Sequence, residues 1–153
     1  SDGRIGHELR ALSHLYAGVD PSPVAVAKGV RDGLNLVTGW ADSFELEQKF
    51  DVIILGFFLY LTHPDDWFKI ATNIFEHLKR DSFIIINDFY ADGLVKKDYK
   101  HNPKMNIHKY KFDKLFLWHP AIKSVYHIAS SEKVTNINDT DYWYQTTILK
   151  VSK

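Results

Sequence analysis

Apolar positions along this chain fall into periods and short runs that alternate between helix and strand. Leu9, Leu12, Leu15 and Tyr16 recur at helical spacing soon after Gly3 and Gly6, and predict a helix from Arg4 to Leu15. The apolar run Tyr16 to Val19 reads as a strand ending at Asp20 and Pro21-Ser22-Pro23. Ser22 is placed to cap the next helix, with Pro23 in its first position, and Gly33 marks that helix's end. Leu34 to Thr38 reads as a strand closed by Gly39. Phe50 to Leu55 is a nearly continuous apolar run and reads as a buried strand. Trp67, Ile70, Ala71, Ile74, Phe75 and Leu78 then mark one face of a helix, with Asp65 and Asp66 before it and Lys79 and Arg80 after it, as its dipole favours. Phe83 to Ile86 is another buried strand, closed by Asn87 and Asp88.

Strands alternating with helices predict an α/β, doubly wound (Rossmann-like), mostly parallel sheet with helices on both faces. The stretch from Ala91 to Lys109 is polar and reads as a loop able to cover a site. Lys111 to Leu117 reads as a short helix. Lys123 to Ser130 and Tyr142 to Val151 alternate in strand fashion around a polar turn from Thr135 to Asp141. They predict a C-terminal antiparallel hairpin at one edge of the sheet.

The chain has 153 residues, enough for one domain with its own core. Its 19 basic and 19 acidic residues balance, so no basic stripe marks a nucleic-acid partner. Without cysteine there is neither a disulfide framework nor a thiolate metal site. The longest apolar run, Val52 to Leu61, is far short of the roughly 20 residues of a spanning helix, so no membrane role is expected. The eight histidines form no HExxH or HxH pairing, and no metal is expected.

In an open doubly wound sheet, ligands bind beyond the carboxyl ends of the strands. Asp20 stands at such an end, where a carboxylate accepts both ribose hydroxyls of an adenosyl group; the competing reading is an Asx turn with Pro21. Asp42 could accept from an adenine amino group, and Trp40 could either stack on the ring or pack. Gly56 and Phe57 follow the Phe50–Leu55 run. Aromatic faces there could attract a cation, or one of Phe57 and Phe58 could fill the core. Asp2 and Gly3 precede the first helix, where glycine lets backbone approach a ligand, or they belong to an ordinary loop.

The ladder SDGR, YAGVDPS, GWADSF, FDVIILGFFLYL and FIIINDFY resembles the core of the class I S-adenosylmethionine-dependent methyltransferases. The segment from FDVIILG through IINDFY to YKFDKLFLWHP is similar to a subgroup of small bacterial methyltransferases of the type 11/12 kind. The resemblance implies a cytoplasmic enzyme with S-adenosylmethionine as cofactor and a small-molecule or sugar acceptor. It implies Asp20, Pro21 and Ser22 for the ribose, Asp2 and Gly3 for the methionine end, Ala41 and Asp42 for the adenine, and Gly56 and Phe57 beside them. Tyr60, Asp88, Tyr90, His101 and His119 are the candidates for the acceptor side. It also implies a single domain over residues 1–153, whose first strand would stand before Ser1. An NAD-binding oxidoreductase and a non-catalytic cofactor-binding relative are the alternatives. Oligomeric state is not legible.

Overall fold

The computed structural model describes residues 4–12, 15–131 and 141–153. The chain divides into two units, residues 1–47 and 48–153.

The first unit contains α1 (Arg4–Ala11), β1 (Gly18–Asp20), α2 (Pro23–Arg31) and β2 (Leu36–Thr38). Helix α2 starts as its sequence predicts. The Ser22 hydroxyl accepts the Ala25 N–H at 3.3 Å, and Pro23 occupies the first turn, where a missing N–H costs nothing. The helix is followed by Gly33 at φ +79, a backbone shape that glycine adopts without penalty. Strands β1 and β2 pair in parallel, Gly18 beside Leu36 and Asp20 beside Thr38, with α2 as the crossover. Gly29 lies buried on α2, and a Cβ there would meet Leu36 Cδ1 at 2.3 Å, so the helix rides close on its strand. Helix α1 stops at Ala11, short of the expected Leu15.

The second unit contains β3 (Phe50–Gly56), α3 (Trp67–Glu76), β4 (Leu78–Phe89), β5 (Val95–Tyr99), β6 (Asn102–Lys109), α4 (Lys114–Leu117), β7 (Ile122–Ser131) and β8 (Trp143–Val151). Its main sheet has the order β3-β4-β8-β7. Only the β3–β4 pairing is parallel there; β8 is antiparallel to both of its neighbours, β4 and β7. The sheet is therefore mixed, which corrects the expected mostly parallel one. The reversal comes from β8 alone, which enters between β4 and β7 in the direction opposite to both. The two C-terminal strands do pair, with β8 inserted beside β4 and β7 outside it. Of the polar turn expected between them, Thr135 to Asp141, all but Asp141 lies outside the described residues.

Helix α3 buries Trp67, Ile70, Ala71 and Ile74 against one sheet face. Ile84, Ile86, Leu149 and Val151 share that core with Phe112, Leu115 and Phe116. Leu78 was expected on the helix. The helix ends at Glu76 with His77 as its cap, and Leu78 opens β4 instead. Coverage on both faces was also expected. Within this unit β4 alternates between buried Ser82, Ile84, Ile86 and Asp88 and half-buried Phe83, Ile85, Asn87 and Phe89. Val52 and Ile54 pair on the second face and are exposed.

The polar stretch read as a loop is a β-ribbon. Strands β5 and β6 pair antiparallel, from Val95 beside Lys109 to Tyr99 beside Asn102. Among the described residues no helix is long and apolar enough to cross a membrane.

Candidate active site

In the first unit the carboxyl ends of β1 and β2 carry the expected polar groups. Asp20 Oδ1 accepts the Ser22 N–H at 2.8 Å, so the Asx turn is real and fixes the direction of the carboxylate. The Gly39 N–H donates to the Asp20 carbonyl at 3.1 Å, which ties the turn after β2 to the end of β1. Residues 40–44 fold tightly, with the Ser43 and Phe44 N–H groups on the Trp40 carbonyl. Ala41 and Asp42 are half-buried there, and the Ser43 hydroxyl donates to Asp42 Oδ1 at 3.0 Å. Trp40 is 67% exposed, so its ring is not core packing. Asp2 and Gly3 lie outside the described residues.

In the second unit the ends of β3 and β4 meet. Gly56 pairs with Asn87, and the Phe57 N–H donates to the Asn87 carbonyl at 2.8 Å. Phe57 then adopts φ +49, a left-handed conformation in which a bulky side chain is strained. Asp88 holds this turn. Its Oδ2 accepts the N–H groups of Phe58 at 3.1 Å and Leu59 at 2.9 Å, and its Oδ1 accepts its neighbour Phe89's N–H at 2.7 Å. The side chain is fully buried. Burial pushes its carboxyl up to about 7, while the backbone donors pull the other way. Asp88 is thus a clamp on the turn, and its position gives a ligand no face to touch.

Tyr60 follows in a single 3-10 turn, Leu59–Leu61. Its ring stands edge-on to Phe89 at 4.8 Å and to Tyr99 at 6.3 Å. Burial first, then the Tyr99 hydroxyl and the charges of Tyr99 and Asp88, push the Tyr60 phenol up to about 12. Phe89 is the hub of an aromatic cluster, with Phe57 at 5.7 Å and Tyr144 at 5.3 Å. The Lys109 ammonium lies over its ring, 4.7 Å from the centroid. Lys109 is 3% exposed and stands 3.8 Å from Asp141, which Lys97 also contacts. Gln145 pins this region by donating to the carbonyls of Phe89 and Tyr110 at 3.2 and 2.7 Å.

The two histidine candidates do not join this cluster equally. His101 sits in the exposed turn between β5 and β6, edge-on to Tyr99 at 5.2 Å. His119 is misplaced by the sequence reading. It precedes Ile122, which pairs with Val151 and through it with Ser82, and it packs on Phe75 near the end of α3. Asp88 lies six residues further along β4, roughly 20 Å away at the rise of a strand. His119 therefore stands at the opposite end of the sheet from Phe57. Tyr90 points to the other face, where it is buried near His127. Among the described residues no group of three or more His, Asp or Glu side chains could hold a metal ion.

Phe89, Tyr99, Lys109 and Tyr144 were not singled out by sequence. Phe89 and Tyr144 are adjacent strand-end aromatics, which pairing β4 with β8 would have revealed. Lys109 is one of many lysines in a polar stretch and carries no sequence signal of its own.

No family model and no curated protein matches the sequence. Solved structures do match it over its whole length. An S-adenosylmethionine-dependent methyltransferase from Methanosarcina mazei is 15% identical, with a TM-score of 0.77 over 99% of this chain and 88% of that one. The 1,6-didemethyltoxoflavin-N1-methyltransferase of Burkholderia thailandensis, solved with its acceptor and S-adenosylhomocysteine, is 16% identical, with a TM-score of 0.74 over 100% and 68%. A TehB-like S-adenosylmethionine-dependent methyltransferase from Corynebacterium glutamicum is 17% identical, with a TM-score of 0.70 over 99% and 76%. The chain has the fold of these enzymes.

Proposed function

We propose that this chain transfers a methyl group from S-adenosylmethionine to a small-molecule or sugar acceptor. The observation that carries this is Asp20, a carboxylate oriented by a backbone N–H at the end of a parallel strand in a methyltransferase fold. Doubly wound sheets bind nucleosides at such ends, and a carboxylate there takes the ribose hydroxyls.

Asp20, with Pro21 and Ser22 in its turn, would hold the ribose. Asp42 would accept from the adenine amino group, with Ala41 and the exposed face of Trp40 against the ring. Asp2 and Gly3 would meet the methionine end. In the second unit, Gly56 and the exposed Phe57 ring are the remaining proposed cofactor contacts. The bound cofactor supplies an electrophilic methyl carbon. The chain's own work is to orient the acceptor against it, a contribution worth about 7 to 11 kcal/mol in well-ordered reactions. Asp88 serves this indirectly, by holding the turn that carries Phe57 and Tyr60. Tyr60 and His101 are the side chains of the expected acceptor set that lie with the cluster at these strand ends. A bacterial, cytoplasmic enzyme is part of the same reading.

The chain is tested by incubation with methyl-labelled cofactor and a panel of hydroxylated aromatics, amines and sugars. Label is expected in one class of small molecule. Binding of S-adenosylhomocysteine without transfer to any acceptor would support the non-catalytic relative. Binding of NAD in place of S-adenosylhomocysteine would support the oxidoreductase.

A further inference from the structure

Strand β7 closes one side of the main sheet, in the order β3-β4-β8-β7. It is ten residues long, and its inner edge pairs with β8 from Ile122 to Ser131. From Lys123 to Ser130 its outer edge meets no other backbone among the described residues. Such an edge presents a row of N–H and C=O groups ready to pair with another strand. Edges that stay alone are blunted by shortness, by charges or proline, or by a bulge that twists them away. This strand has no proline, and its one permanent charge is Lys123, near its start. Its one bulge falls at Val125, between the pairs made by Ser124 and Tyr126, and Tyr126 to Ser131 run regularly beyond it. The side chains there are apolar and open: Val125 is 56% exposed, Tyr126 47% and Ile128 44%. Tyr126 also ends an apolar row that crosses all four strands on the face away from α3. It lies beside Ile148, which lies beside Ile85, which lies beside Ile54.

We propose that β7 is the two-fold interface of a homodimer, where it pairs antiparallel with β7 of a second copy and joins two four-stranded sheets into one. The occupant is a second copy because this edge is complementary to itself. A two-fold axis perpendicular to the sheet sets the same strand of each copy side by side in opposite directions, so one patch serves both partners. With that axis at His127, Tyr126 stands opposite Ile128 of the partner subunit, and the same pair recurs across the axis. An aromatic ring opposite a β-branched side chain is a favourable cross-strand pair. The strand's charges meet no like charge, because Lys123 of each copy falls toward the uncharged Ser130–Ser131 end of the other. Main-chain bonds then supply the affinity and the alternate side chains the register, as in other strand additions. The apolar row from Ile54 to Tyr126 becomes continuous across the two copies. Nothing in this inference depends on the methyltransferase reading.

Sedimentation velocity of the intact chain, from about 1 to 100 µM, reads the association by mass action. A dimer is expected at the upper end of that range. Tyr126→Lys combined with Ile128→Lys sets like charges directly opposite each other and is expected to weaken association by about tenfold or more. Tyr126→Glu combined with Ile128→Lys sets opposite charges in the same two places and is expected to keep the dimer. Both variants change exposed side chains, and circular dichroism with thermal unfolding checks that each is folded. A wild-type chain that stays monomeric throughout overturns the proposal. So does a dimer that survives the paired lysines, or one that the Glu–Lys variant loses equally, since either result puts the contact elsewhere.

Discussion

Asp20 and Asp88 are both aspartates at strand ends, yet burial sends them to different tasks. Asp20 accepts the Ser22 N–H and lies in a half-buried turn. Asp20→Ala removes two hydrogen bonds to a charged acceptor, each worth about 1.5 to 3 kcal/mol. Affinity for S-adenosylhomocysteine should fall by at least tenfold in calorimetry. Asp88 is buried and raised from 3.8 to about 7. The folded chain therefore keeps a proton that the unfolded chain has lost. This group's contribution to stability is largest at low pH, declines as pH rises between about 4 and 7, and is level above that. Asp88→Asn should flatten this slope. It should also cost about 1 to 3 kcal/mol, because one amide oxygen cannot accept from three N–H groups. Denaturant unfolding at about pH 5 and pH 8 checks both points; an undiminished slope in the variant would assign it to another group. The sequence placed both aspartates at strand ends, but only the fold could tell which one is wrapped by backbone.

Among the elements, β3, α3 and β4 were legible because their apolar periods are long and uninterrupted. Their junctions were less so. The chain passes from α3 into β4 without a loop and then bulges through Asp81 at φ +55. A left-handed L-residue is disfavoured by about 1 to 2 kcal/mol, partly relieved for aspartate. Asp81→Gly should therefore raise stability by roughly half to one kcal/mol in chemical denaturation, net of glycine's larger unfolded-state entropy. The β5–β6 ribbon was illegible for a different reason. Its inward positions on β5 are Val95, Lys97 and Tyr99, and two of these three are polar or amphipathic, so hydrophobic alternation fades. What holds it is pairing, the Lys97 contact to Asp141 and the Tyr99 ring against Tyr60.

At the scale of the whole molecule, strand direction decides which residues face the ligand end. Strand β7 is antiparallel to β8, which is antiparallel to β4, so β7 runs in the direction of β4 and its start, just after His119, lies at the end of the sheet where β4 begins. His119→Ala should thus leave cofactor binding within twofold. It should lower stability by about 1 kcal/mol through loss of its contacts with Phe75 and the Ala121 N–H. The α/β class and the strand-end positions of Asp20, Gly56 and Asp88 could be found from sequence. The mixed sheet and the Phe89 hub needed the pairing of distant strands. The central claim is that the chain binds S-adenosylmethionine through Asp20, and calorimetric titration with S-adenosylhomocysteine tests it most directly. Saturable binding with a dissociation constant on the order of micromolar, weakened by Asp20→Ala and absent with NAD, is the predicted result. No heat with S-adenosylhomocysteine, or equal binding by Asp20→Ala, would contradict it.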